Sequence, residues 1–333
     1  MEWDQGRPMW RTVVIALLLV SSGLGMSGIS HAQRVRPIRI GALTSSWGPT
    51  PITVGFRDGL VELGYRDNED FFLGVRFTQG DVTALPAAAR ELVQSGADLI
   101  FADENEAAKA AQQATTRIPI VFGAVQDPLG AGLIRSFAQP GGNMTGVANL
   151  DTELGPKRLE VFQQVVPGLK RVLFLYDAAD VSSREAARVY REAARHLGMV
   201  WVERAVRTKE EVQTALLHVR PNEVDGILAP RCCALNIPGL VLEVATQHGI
   251  PTMFNSASFW MEHGALASYG PNFRESGRQA ARLVDKILKG ADPAKIPVEA
   301  NSNIEFVINL KTAKTLGLTI APEVLYQADR IVR

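Results

Sequence analysis

The groups best suited to chemistry in this sequence stand just after short apolar runs. Thr44, Ser45, Ser46 and Trp47 follow the run 39–43; hydroxyls and free N–H groups suit a carboxylate, and an indole suits a flat molecular face. Ser45 and Ser46 are equally suited to capping a following helix. Asp103, Glu104 and Asn105 follow the run 98–102. Asp103 there reads as a helix cap as readily as a ligand contact, so Glu104 and Asn105 are the stronger candidates. Gln126 and Asp127 come after the run 118–122, with Asp127 also placed to hold a turn before Pro128. Further along stand Tyr176 and Asp177, then Arg231 after Ala229-Pro230, then Asn255 and Ser256, then Tyr269. Arg231 is the sharpest of these, because a guanidinium fork binds a carboxylate through two parallel bonds, although a solvated loop arginine is the plain alternative. Tyr269 falls where the chain should pass between lobes, so packing at a hinge competes with ligand contact. Together these groups suit holding a small polar or zwitterionic molecule, an amino acid or aromatic acid for example.

Groupings that would make or break bonds are missing from the pattern. The first strand runs into Gly41-Ala42-Leu43-Thr44-Ser45-Ser46, which lacks the glycine spacing of a dinucleotide fold. There is no phosphate-cradling Gly-Lys-Ser/Thr loop and no Gly-x-Ser-x-Gly elbow. Of the 5 histidines, His196, His218 and His248 fall near expected helix ends, His31 lies in the N-terminal segment, and His263 precedes Gly264 in a loop. None has metal-ligand spacing. The 2 cysteines, Cys232 and Cys233, are adjacent, which makes a disulfide strained and a zinc site poor. The expectation is a binding protein with no catalytic residues, no metal and no cofactor.

The elements that must hold these residues are strands alternating with helices. Strands are expected at 39–43, 72–77, 98–102 and 118–122, with helices at 54–64, 85–94 and 106–116 between them. The alternation restarts with strands at 171–176, 200–203, 224–228 and 251–254 and helices at 184–197, 210–219 and 240–248. Such alternation indicates βαβ units and parallel sheets covered on both faces. Pro140-Gly-Gly-Asn-Met-Thr-Gly146 lies between the series and suits a change of sheet. The fold class is therefore α/β, with two doubly wound parallel-sheet lobes. Ligands of such sheets sit beyond the carboxyl ends of the strands, which points to a cleft between the lobes.

The 333 residues exceed one ordinary domain, and 35 Lys and Arg balance 35 Asp and Glu, so no basic excess exists for nucleic acid. Arg7 and Arg11, the apolar core 13–20 and Ser30-His31-Ala32 form the pattern of a secretory signal peptide cleaved before Gln33, so the mature chain is expected in the periplasm; an uncleaved membrane anchor is the alternative, against which Gly23, Gly25 and Gly28 interrupt the apolar run. A monomer is expected.

The segment 118–134, the Pro140–Gly146 turn, Leu266-Ala-Ser-Tyr-Gly270, the segments 284–290 and 296–299, and the C-terminal stretch 308–318 followed by Ala328-Asp329 form a recognisable set. Together they resemble one family, the tryptophan/tyrosine-type ABC transporter substrate-binding proteins. The resemblance covers nearly all of the chain beyond the N-terminal segment. It implies a type I periplasmic-binding fold whose lobes are joined by a multi-stranded hinge and close on a ligand. It also implies an ABC permease and its ATPase as partners; a ligand-sensing module for a membrane receptor is the alternative role for the same fold. The implied division is a signal peptide at 1–32, a first lobe at 33–148 plus 268–291, and a second at 149–267 plus 292–333. Where the family shows Gly-Thr-Pro at the tip of its third strand, this chain has Glu104-Asn105-Glu106, so the family's aromatic ligands do not carry over by that motif.

Overall fold

The computed structural model describes residues 36–149, 151–220, 222–229, 238–256, 260–301 and 303–333. The proposed signal peptide and the expected contact Arg231, with Cys232 and Cys233, lie outside the described residues.

The first series runs β1 (Ile38–Thr44), α1 (Pro51–Glu62), β2 (Phe71–Phe77), α2 (Leu85–Gln94), β3 (Leu99–Ala102), α3 (Asn105–Ala114), β4 (Ile120–Gln126) and β5 (Met144–Asn149). The second runs α4 (Gly155–Val165), β6 (Arg171–Asp177), α5 (Val181–His196), β7 (Val200–Val206), α6 (Lys209–Leu217), β8 (Gly226–Ala229), α7 (Pro238–His248), β9 (Thr252–Phe254) and β10 (Ala267–Pro271). The chain ends with α8 (Phe273–Leu288), β11 (Glu299–Ala300), β12 (Ile304–Asn309), α9 (Leu310–Thr315), α10 (Pro322–Gln327) and β13 (Arg330–Val332). The expected strands and helices of both series form, with ends shifted by a few residues. The elements beyond those expected are β5, which begins inside the expected turn, α4, which follows it, β10, and all the elements from α8 onward.

Helices cover both faces of each sheet, so the central strands are largely apolar rather than alternating, while the edge strands β2 and β7 are more exposed. In β1, Ile38, Ile40 and Ala42 join Phe56 and Leu60 of α1 and Leu283 and Val284 of α8, while Leu43 joins the opposite core with Leu92 of α2 and Ala107 of α3. The second sheet packs Phe162 of α4 and Tyr190 of α5 on one face, and Leu216 of α6 and Val244 of α7 on the other. The first sheet has the order β11-β5-β4-β3-β1-β2 with all its pairs parallel, and the second β13-β12-β10-β9-β8-β6-β7 with only β10 and β12 antiparallel. The same order thus appears twice, β2-β1-β3-β4-β5 and β7-β6-β8-β9-β10. In each, order reverses beside the first strand of the series, the place where doubly wound sheets open a crevice.

Sheet membership moves two of the expected lobe boundaries. Residues 268–271 belong to β10 in the second sheet rather than to the first lobe. The stretch expected to begin the second lobe at 292 remains with the first: Glu299 and Ala300 pair with Val147 and Ala148, and the Thr145 hydroxyl donates to the Ile296 carbonyl at 2.9 Å.

Candidate ligand-binding site

The chain changes sheets three times, and the positions of the changes identify the functional edge. It leaves the first sheet after Asn149, returns after Pro271, and leaves again after Ala300 to enter β12 at Ile304, which pairs with Pro271. The first two exits, and the third, are at carboxyl ends of parallel strands. The short connections after Pro271 and Ala300 therefore bring the carboxyl edges of the two sheets together. Every candidate residue of the sequence analysis that is described lies at or next to one of these edges.

On the first lobe, Ser45 and Glu104 flank the crevice between β1 and β3. The Ser45 N–H donates to Glu104 Oε1 at 2.7 Å, and both residues are buried. Neither Ser45 nor Ser46 caps α1. Thr50 does, through a reciprocal pair of bonds with Thr53, and its hydroxyl also donates to Asp103. Ser46 instead donates to the Gly48 carbonyl. Asp103 is thus turned toward α1, and the N-cap position of α3 falls to Glu104, whose side chain makes no cap bond. Trp47 is 75% exposed.

Asn105 and Gln126 come together in a different way from that expected. The Asn105 Oδ1 accepts the Gln126 N–H at 2.8 Å, and its Nδ2 donates to the Gln126 carbonyl at 3.3 Å. The amide closes on one backbone unit and clasps the start of α3 to the end of β4. Asp127 holds a turn: its Oδ1 accepts the Gly130 N–H at 2.8 Å, and its own backbone lies in the left-handed region at φ 41.

On the second lobe, Asp177 Oδ1 accepts the Ala179 N–H at 2.7 Å, closing the turn into α5. Tyr176 is half-buried with its ring 6.5 Å from that of Phe174. Ser256 is buried two residues past β9. Beside it, Asn255 Nδ2 donates to Asp151 Oδ2 at 3.0 Å. The Tyr269 ring meets Phe306 of the neighbouring strand β12 edge-on at 6.1 Å, a contact inside the second sheet rather than between lobes.

The sequence reading missed Asp151 and Arg158. Arg158, on α4, is fully buried and ion-paired with Asp151. It also donates to the Tyr190 hydroxyl and, from Nε, to the Tyr269 carbonyl. Burial opposes its charge, but Asp151 and the Tyr190 contact outweigh that and hold it more firmly protonated than usual. Burial also pushes the Tyr190 phenol up to about 12, against the pull of Arg158. The available signal was periodicity: Arg158, Phe162 and Val165 share one helical face. Among the described residues, no cluster of three or more His, Cys, Asp or Glu is placed to hold a metal.

The sequence model of a family described as ABC transporter substrate binding protein matches residues 40–332. The chain belongs to that family. This substrate-binding protein is 29% identical over 266 residues to a tyrosine-binding protein of Clostridioides difficile (strain R20291), covering 79% of this chain and 76% of the relative. Its structure is similar to that of an ABC domain in complex with L-Trp from Streptococcus pneumonia, with a TM-score of 0.79, 28% identity, and coverage of 89% of this chain and 100% of the other. It is also similar to the ligand-free, open structure of a substrate binding protein with adhesive properties from Clostridium difficile, at a TM-score of 0.66, 26% identity, and coverage of 89% and 99%. The family's role is substrate binding, which is not an enzymatic one, and the fold is that of type I periplasmic-binding proteins.

Proposed function

We propose that the protein is exported and captures a small zwitterionic molecule of the amino-acid class between its lobes. It then delivers that molecule to a bilayer-embedded permease driven by a cytoplasmic ATPase. The observation that carries the reading is the meeting of two carboxyl sheet edges, each with buried polar groups at strand ends: Ser45 and Glu104 on one, Asp177, Asn255 and Ser256 on the other. Relatives that bind tyrosine and L-Trp support the ligand class. Export is supported by the N-terminal sequence pattern, and no helix among the described residues is long and apolar enough to cross a membrane.

The test is a thermal-shift screen of amino acids, aromatic acids and short peptides on protein freed of bound ligand. A ligand at ~100 times its Kd adds about 2.7 kcal/mol to stability. A flat response across the screen removes the reading. With a ligand in hand, Arg231→Ala should weaken binding roughly 30- to 1000-fold if Arg231 holds its carboxylate. Unchanged affinity assigns the carboxylate elsewhere.

A further inference from the structure

The buried Arg158 cluster lies where the first and second crossings meet the second lobe. Asp151 is two residues past β5, the Tyr269 carbonyl belongs to β10, and Asn255 directly follows β9. One Asp151 oxygen takes Arg158 and the other takes the Asn255 amide nitrogen. A carboxylate only accepts hydrogen bonds, so Asn255 must present its NH2 to Asp151, and the amide has a single permitted orientation. Its Oδ1 is then turned away from Asp151 at the carboxyl edge, and no described residue donates to it. Arg158 is equally constrained, since Nε and both terminal nitrogens each have an acceptor. Backing off is blocked as well: a Cβ at Gly270 would lie 1.9 Å from the Asn255 carbonyl oxygen, so β10 runs hard against the Asn255 backbone.

We propose that Arg158 and Asp151 are positioning residues that lock Asn255 with its Oδ1 toward the cleft, where it receives a protonated amine of the bound molecule. Only the identity of that molecule rests on the function proposed above. The second lobe thereby reads the amine, and selectivity for an amine-bearing ligand over its amine-free analogue originates in a salt bridge that never touches the ligand.

The experiment compares L-tyrosine with 3-(4-hydroxyphenyl)propanoate, which lacks only the amine, by calorimetry on the mature chain. The parent should prefer L-tyrosine. Asn255→Ala should reduce that preference about 10-fold or more, while affinity for the amine-free acid changes less than about threefold. Asp151→Asn lets the Asn255 amide turn over and should reduce the preference likewise; a variant that is merely less stable loses affinity for both probes alike. A preference preserved in both variants overturns the proposal. A second readout needs no ligand: in nitrogen-15 spectra, the Asn255 side-chain amide, assigned by its loss in Asn255→Ala, should shift markedly in Asp151→Asn. If L-tyrosine does not bind the parent, the ligand class is wrong, and the amide spectrum alone decides the positioning. An Asn255 amide unmoved by Asp151→Asn overturns it.

Discussion

Asn105 shows how a side chain suited to a ligand is taken up by the fold. Its amide satisfies both polar groups of the Gln126 backbone at a strand end, so its removal leaves an N–H and a C=O without those partners. Asn105→Ala should therefore lower the unliganded stability by about 1–2 kcal/mol, read as a drop in Tm. A Tm equal to the parent's shows the clasp to be dispensable. Such a pairing spans residues 21 apart in sequence and depends on the exact end of β4, which periodicity does not resolve. Asp225 gives a pH-dependent counterpart. Its bond to the Arg171 side chain, aided by the Arg171 and Lys170 N–H groups, holds its carboxyl below the ordinary aspartate range. A depressed carboxyl contributes stability that is complete above its unfolded pKa near 4 and fades as pH falls through the lower folded value. The pair is partly exposed, so the contribution is about 1 kcal/mol or less. Denaturant titrations of Asp225→Asn at pH 7 and pH 3 should show the larger deficit at pH 7; equal deficits exclude the coupling.

At the scale of elements, α1 and α8 meet through glycine. A Cβ on Gly55 would lie 1.9 Å from the Arg274 carbonyl oxygen, and one on Gly277 would lie 2.1 Å from that of Ile52. The contacted atoms are backbone, which moves only if a helix moves. Gly277→Ala should accordingly cost about 2–3 kcal/mol by forcing the helices apart, despite the gain in helix propensity. Urea denaturation measures it, and a neutral or stabilising result means the helices separate freely. These glycines also mark what the sequence could tell. Glycines ending helices were readable: Gly64, Gly198 and Gly249 all adopt positive φ. Glycines inside α1 and α8 speak of a partner helix more than 200 residues away, and local pattern does not name it. Likewise α4 was invisible because Gly155-Pro156 opens it and Arg158 interrupts its apolar face, until Asp151 is seen to neutralise that charge and the Tyr190 hydroxyl to accept its hydrogen bond.

For the whole molecule, the α/β class and the doubled winding were legible because each apolar run maps to one strand buried on both faces. The crossings were less so, since β10 and the stretch 292–300 are assigned by pairing with distant strands. The N-terminal pattern predicts a mature chain starting at Gln33. N-terminal sequencing of periplasmic material checks this, and recovery of Met1 contradicts it. The first lobe is also discontinuous: α8, which covers Ile40, Phe101 and Phe56, comes from residues 273–288, after nearly all of the second lobe. As the chain emerges from a ribosome or a translocation pore, β1 to β5 wait with one apolar face covered only in part, by α1, until α8 arrives. A chain exported in the unfolded state gains from that delay, because neither a stalled fragment ending before Asn272 nor a partly synthesised precursor can complete the first lobe's core. Completion of the first lobe's core therefore waits until α8 has been made.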